Sequence, residues 1–166
     1  MATADEKLFL WINGLAGEFP PLDNMVEWMV SDYLIPVTLA LSLVSLWFLG
    51  GDSETRLRHQ IGLFIALTSM RLSSWLVFII NAIWTRPRPF DVPGLDVTLL
   101  FYRPTDSSFP SNPIAASVGI AATVWVVNRR LGTALLVAVG MYGFARVMAG
   151  VHYPLDIVSG ALIGVI

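Results

Sequence analysis

Cysteine is absent and charge is scarce. With no cysteine among 166 residues, disulfides and thiolate metal sites are excluded, and the redox compartment leaves no trace in the chain. Charged residues make up 13 % of the sequence, against about a quarter in an ordinary soluble domain. The formal net charge of −2 excludes a globally basic nucleic-acid binder. Histidine occurs only twice, at His59 and His152. No short-period repeat or low-complexity tract is present, and the acidic start before a short apolar run is not the charge order of a cleavable signal peptide. Apolar residues are what the chain has in quantity: 55 % are hydrophobic, the mean hydropathy is +0.69, and they gather into long runs. That pattern reads as an integral membrane protein. The expected fold is all-α, a polytopic transmembrane bundle of five to six helices.

In chain order, residues 5–17 suit a short amphipathic helix, and Phe19-Pro20-Pro21 interrupts any continuous span. Residues 22–30 mix Trp28 and Met29 with Asp23 and Glu27, as an interfacial helix would. Residues 1–31 are therefore read as an N-terminal interfacial segment and 32–166 as the transmembrane domain. Five spans are expected there, over about 33–49, 61–84, 112–127, 133–148 and 154–166. The polar stretch 52–60 is expected to be a connection. The last span is short against the roughly 20 residues a crossing helix needs, so the natural helix is expected to run on. Segment 85–110 is polar and proline-rich, and belongs outside the hydrocarbon or in a protein-lined cavity. Arg71, Ser74 and Asn81 in the second span read as an interior polar stripe, since a charge there is costly and usually faces a cavity or partner. The six tryptophans fall mostly near span ends, as in an aromatic belt.

Five spans put 52–60 and 128–132 on one side and 85–111 and 148–154 on the other. Arg56, Arg58, Arg129 and Arg130 make the first side cytoplasmic by the positive-inside rule. The opposite face nevertheless carries Arg86, Arg88, Arg103 and Arg146. Arginines on a translocated face need another reason to be there, and an anionic ligand supplies one.

Three motifs converge on that face. Arg86-Pro87-Arg88-Pro89 holds two guanidiniums on a stiff extended segment, the group suited to bidentate phosphate contact; snorkelling to lipid headgroups is the competing reading. Ser111, within Ser108-Phe109-Pro110-Ser111-Asn112-Pro113, is placed to cap the third span, whose N-terminal amides and dipole favour a phosphate; capping alone is the plainer reading. In Ala145–Asp156 (A-R-V-M-A-G-V-H-Y-P-L-D) Pro154 places His152 just before a helix and Asp156 in its first turn. An imidazole held by a carboxylate suits nucleophilic or acid–base work, while an Asp156 that only stabilises the helix dipole is the alternative. Together, Arg88, Arg146 and the Ser111 cap would hold phosphoryl oxygens, His152 would attack in line and Asp156 would orient it. Positioning and electrostatics would supply most of the catalysis.

The order and spacing resemble the type-2 phosphatidic acid phosphatase superfamily, and the layout is most similar to its bacterial undecaprenyl-diphosphate phosphatases. The family's first motif is lysine, six residues, Arg-Pro; Arg88-Pro89 match and Asn81 stands at the lysine position. Its second is Pro-Ser-Gly-His; Pro110-Ser111 match and Asn112-Pro113 replace Gly-His. Its third is Ser-Arg, five residues, His, three residues, Asp; Arg146, His152 and Asp156 match and Ala145 replaces the serine. The resemblance implies His152 as nucleophile forming a phosphohistidine with Asp156 beside it, no metal or cofactor, and a six-helix core. Phosphate contacts would come from Arg88, Ser111, Asn112 and Arg146, with Asn81 and Arg86 in support.

The expected function is an integral membrane lipid phosphatase acting on a polyprenyl (undecaprenyl) diphosphate. The partners would be a phosphorylated lipid and the bilayer, without nucleic acid, in a bacterial-type inner membrane with the site on the extracytoplasmic side. Phosphatidic-acid or phosphatidylglycerophosphate hydrolysis is the enzymatic alternative, and a non-catalytic phospholipid-binding or transporting relative is the other. Pro113 bears on the substrate. The family assigns the histidine at that position as general acid, which proline cannot be, and His59 is on the other side of the membrane. An alkoxide leaving group needs a proton, whereas a phosphate leaving group, with a second pKa near 6, departs with little protonation. A preference for diphosphate over monophosphate lipids is expected.

Overall fold

A computed structural model describes residues 3–166 of the chain, so the first two residues of the N-terminal segment lie outside the described residues. Seven α-helices and one short 3-10 turn are found among the described residues, with no strand. They are α1 (Ala4–Asn13), α2 (Pro20–Val30), α3 (Leu34–Phe48), α4 (Ser53–Ile83), α5 (Asn112–Val127), α6 (Arg129–Met148) and α7 (Pro154–Val165), with the 3-10 turn at Pro89–Asp91. By length and composition α4 and α6 can each cross a membrane, and α2 with α3, bent by 50° at their junction, makes up to a third crossing. α5 and α7 are apolar but shorter.

Two of the expected loops are helix. The stretch 52–60 is the first turns of the 31-residue α4, started by Asp52, whose carboxylate accepts from the Thr55 amide at 2.8 Å. At 1.5 Å per residue, α4 is about 46 Å long and outruns the roughly 30 Å hydrocarbon layer. The polarity of Arg56 and Arg58 therefore marks depth rather than loss of helix. His59, also placed in that loop, is buried on α4, with Nδ1 2.8 Å from the Leu49 carbonyl. The 128–132 connection reduces to Asn128, which ends α5 and caps α6 by accepting from the Leu131 amide at 3.1 Å. Arg129 stacks over Trp125, 3.5 Å from the ring centroid.

α5 is the central helix, packed against α3, α4, α6 and α7. Small residues let it approach α7 closely. A Cβ on Gly160 would lie 2.5 Å from the Ser111 carbonyl oxygen, and one on Gly164 would lie 2.5 Å from that of Ala115. Gly160 and Gly164 are one helical turn apart, the spacing that close helix pairs in membranes use. This contact sets Ser111 beside the first turn of α7, where its amide donates to the Asp156 carbonyl at 3.1 Å.

α4 turns Gly62, Ala66, Ser73 and Val77 inward. Arg71, expected on an interior stripe, lies two residues from Ser73, about 200° around the helix, and is exposed. Ser74 is half-buried, whereas Asn81 does turn its Oδ1 inward. α1 and α2 form a second core with the C-terminal end of α6: Phe9, Ile12, Val26 and Val30 pack with Ala145, Val147, Met148 and Tyr153. Their outer faces leave Trp11 and Trp28 exposed.

Candidate active site

His152 lies between α6 and α7 and is 1 % exposed. Its Nδ1 is 2.9 Å from the Ser108 carbonyl oxygen. A carbonyl only accepts, so Nδ1 carries the proton and Nε2 keeps its lone pair. That lone pair lies 3.3 Å from Ser111 Oγ and 3.4 Å from Arg88 Nη1. Ser111 occupies the N-cap position of α5 but makes no side-chain cap; its hydroxyl is turned to the imidazole instead. Burial pushes the His152 imidazole down to about 4, with the positive charges of Arg146 and Arg88 adding to it. Burial therefore favours the neutral ring at neutral pH.

Arg88 is 2 % exposed, with extended backbone as the flanking prolines require. Its Nε donates to the Asp106 carbonyl at 3.0 Å, Nη2 to Asp106 Oδ1 at 2.8 Å and Nη1 to the Val151 carbonyl at 2.8 Å. Burial holds the Arg88 guanidinium below its ordinary value, opposed by Asp106. Arg146, also buried, donates from Nη1 to the Tyr142 hydroxyl at 2.7 Å, and its Nε has no partner. Among the described ion pairs Arg146 has no carboxylate. A buried guanidinium without a counter-ion is costly unless an anion completes it.

Asp156 sits differently from the sequence-based expectation. Its closest oxygen is 3.7 Å from His152 Nδ1, beyond hydrogen-bonding distance. Instead Oδ2 accepts from Ser108 Oγ at 2.6 Å and from the Tyr153 amide at 2.8 Å, while Oδ1 accepts from Arg86 Nη1 at 2.7 Å. Asp156 thus fixes Ser108, and the Ser108 carbonyl holds the ring. The i, i+4 spacing put carboxylate and imidazole near each other, but the Ser108 backbone fills the closer position. Arg86 is the connecting cation rather than a phosphate ligand: Nη2 reaches Asp5 Oδ2 at 2.7 Å, and the guanidinium lies 3.9 Å over the Tyr153 ring.

Among the described residues, Asn112 Oδ1 and Asn81 Oδ1 are buried without a partner, like the Arg146 Nε. Among the described residues no three His, Asp or Glu side chains gather as a metal site requires. Pro113 and Tyr142, with Leu39, Met70 and Ile120, line an apolar cavity of about 360 Å³.

Four residues of this network escaped the sequence reading. Ser108 and Asp106 lie in the irregular segment 85–110, where no periodicity assigns direction, and Tyr142 looks like any aromatic in a span. Asp5 is 151 positions from Asp156, and only the fold brings the two to one guanidinium. The one available signal was the Ser-Ser-Phe-Pro-Ser run, dense in hydroxyls beside the capping serine.

A family model for the PAP2 superfamily matches residues 62–166, which include every residue of the hydrogen-bonded network around His152 except Asp5. Undecaprenyl-diphosphatase BcrC of Bacillus subtilis is 28 % identical over 160 residues, spanning 96 % of this chain and 78 % of that protein. The bacitracin transport permease protein BcrC of Bacillus licheniformis is 30 % identical over 159 residues, spanning 95 % and 74 %. Among solved structures, Aquifex aeolicus LpxE superposes with a TM-score of 0.70 at 27 % identity, covering 99 % of this chain and 92 % of that one.

Proposed function

This chain belongs to the PAP2 superfamily and is a membrane lipid phosphatase, and we propose that it removes the terminal phosphate of a polyprenyl diphosphate through a phosphohistidine at His152. The observation that carries the reading is the His152 ring: Nδ1 is committed to the Ser108 carbonyl, leaving Nε2 free between Ser111 and Arg88. Nε2 attacks the terminal phosphorus, the bond to the bridging oxygen breaks, and polyprenyl monophosphate leaves. Arg88, Arg146, Ser111 and Asn112 hold the non-bridging oxygens as charge moves onto them. The imidazole, now cationic, keeps its Nδ1–H on Ser108. Water then attacks the phosphorus, the N–P bond breaks, inorganic phosphate leaves and Nε2 recovers its lone pair.

The undecaprenyl-diphosphatase among the relatives supports this substrate class. So does Pro113, a residue with no proton to give at the position where the family carries its general acid. The site faces the extracytoplasmic side of a bacterial-type inner membrane, because Arg56, Arg58, Arg129 and Arg130 start α4 and α6 at the ends remote from it. α1 and α2 lie in the adjoining interface, presenting Trp11 and Trp28.

The decisive experiment is phosphate release by the purified protein in chelator, with matched diphosphate and monophosphate lipids. Diphosphate turnover at least about 10-fold faster, abolished in H152A, is expected; equal or faster monophosphate turnover overturns the substrate assignment. Lipid binding without phosphate release in the wild type overturns catalysis.

A further inference from the structure

The region matched by the family model begins at residue 62, yet a side chain from the first turn of the chain enters the network behind the nucleophile. Asp5, on α1, is buried and has both oxygens engaged. Oδ2 accepts from Arg86 Nη2 at 2.7 Å. Oδ1 accepts from the Leu155 amide at 3.0 Å, one of the free N–H groups opening α7. Tyr153, the residue before α7, offers no side-chain cap to those amides, so Asp5 caps α7 from the far end of the sequence. A carboxylate there also complements the positive end of the helix dipole.

From Asp5 the contacts run in one direction. Arg86 bridges Asp5 and Asp156 at 2.7 Å each, with side-chain exposures of 6 % and 0 % for the two carboxylates. Asp156 holds Ser108 Oγ at 2.6 Å, and the Ser108 carbonyl holds His152 Nδ1 at 2.9 Å. Asp5 touches neither the imidazole nor the space before Nε2. We infer that Asp5 is a positioning residue: it pins Arg86 and the first turn of α7, so that Asp156 and Ser108 hold His152 in its Nδ1–H tautomer. The inference rests on reading His152 as the nucleophile.

The geometry separates this role from a general structural one. α1 is attached independently of Asp5: Asn13 Nδ2 donates to the Thr98 and Met148 carbonyls at 2.7 and 2.8 Å, and Phe9 packs on Tyr153 with centroids 5.3 Å apart. Asp5→Asn keeps the shape and one acceptor for Leu155 but removes the charge facing Arg86. The guanidinium is then free to turn, and Asp156 loses its fixed partner.

The chain has two histidines, so ¹⁵N-histidine labelling of the purified full chain in detergent gives one pair of ring signals for each. His59, bonded to Leu49 near the N-terminal end of α4, is the internal control for folding. The wild type should show His152 as a single Nδ1–H tautomer. D5N and D5A should move it to a tautomer mixture with His59 unchanged, and D5E should return it toward the wild-type pattern. On a polyprenyl diphosphate, D5N should lower kcat about 10-fold or more with KM within about 2-fold. His152 signals unchanged in D5N and D5A, or His59 shifting together with His152, overturn the inference. If the tautomer responds while the wild type turns over no phospholipid or diphosphate, the positioning network stands and the functional reading fails.

Discussion

The Ser108 carbonyl, not the Asp156 carboxylate, orients His152: it lies 2.9 Å from Nδ1 where the carboxylate stands at 3.7 Å. The difference is chemical. A neutral carbonyl fixes the tautomer without stabilising the imidazolium as strongly as a touching carboxylate would. The ring can therefore stay neutral between two guanidiniums until a phosphoryl group arrives and offsets their charge.

Arg146 should be more valuable to activity than to stability. Its guanidinium is buried, with Nε unpartnered and no carboxylate among the described ion pairs, so it costs free energy in the empty protein. R146M, of similar length, should lower kcat/KM by about 10²-fold or more, as loss of a charge-stabilising donor does, while the Tm stays equal or rises. Orthovanadate or inorganic phosphate should raise the Tm of the wild type and not that of R146M. A Tm several degrees below wild type would assign Arg146 to the fold instead.

His152 should titrate far below an ordinary histidine. Burial, reinforced by Arg146 and Arg88, puts it at about 4 against 6.5. Between these values the unfolded chain binds a proton that the folded chain refuses. Stability from this group is therefore complete above 6.5 and is lost as pH falls toward 4. An NMR titration of the two labelled histidines should give one midpoint near 4, and H152N should flatten the fall in Tm between pH 7 and 5. A His152 midpoint near 6.5 would contradict the burial of the site.

Pro113 should be a point of substrate control. It occupies the sequence position at which the family carries its general acid, and it lines an apolar cavity. P113H should raise monophosphate hydrolysis relative to diphosphate hydrolysis by roughly 10-fold or more, within the range a positioned acid supplies. An unchanged ratio in a folded P113H would remove leaving-group protonation as the cause of the preference.

The absence of cysteine makes sidedness directly measurable. Asp91, exposed at the end of the 3-10 turn, and Glu54, exposed at the start of α4, stand at opposite ends of the bundle in the proposed topology. In intact cells an impermeant maleimide should label D91C at once and E54C only after permeabilisation. The reverse pattern would place the site on the cytoplasmic side.

The apolar runs were legible because burial in lipid or protein demands long hydrophobic segments, and helix ends announce themselves through prolines and polar caps. α5 and α7 begin at Asn112 and Pro154 as read from the sequence. The starts of α4 and α6 are not legible, because Arg56, Arg58, Arg129 and Arg130 have the polarity of a loop while the helix continues past the hydrocarbon. The direction of Arg71 is not legible either: a charge in a span usually faces inward, whereas the inward line of α4 is set by Gly62, Ala66 and Ser73.

Residue chemistry along the chain determined the all-helical membrane class and singled out Arg88, Ser111 and Arg146 as candidate phosphate contacts beside His152, since spacing within a helix or turn is a local property. The tertiary structure alone decided that Ser108 rather than Asp156 meets the imidazole, that Arg86 faces Asp5 and Asp156, and that Arg146 meets no carboxylate among the described residues. Those contacts join residues 44 to 81 positions apart in sequence, and the close approach of α7 to α5 that Gly160 and Gly164 permit is encoded by no local pattern.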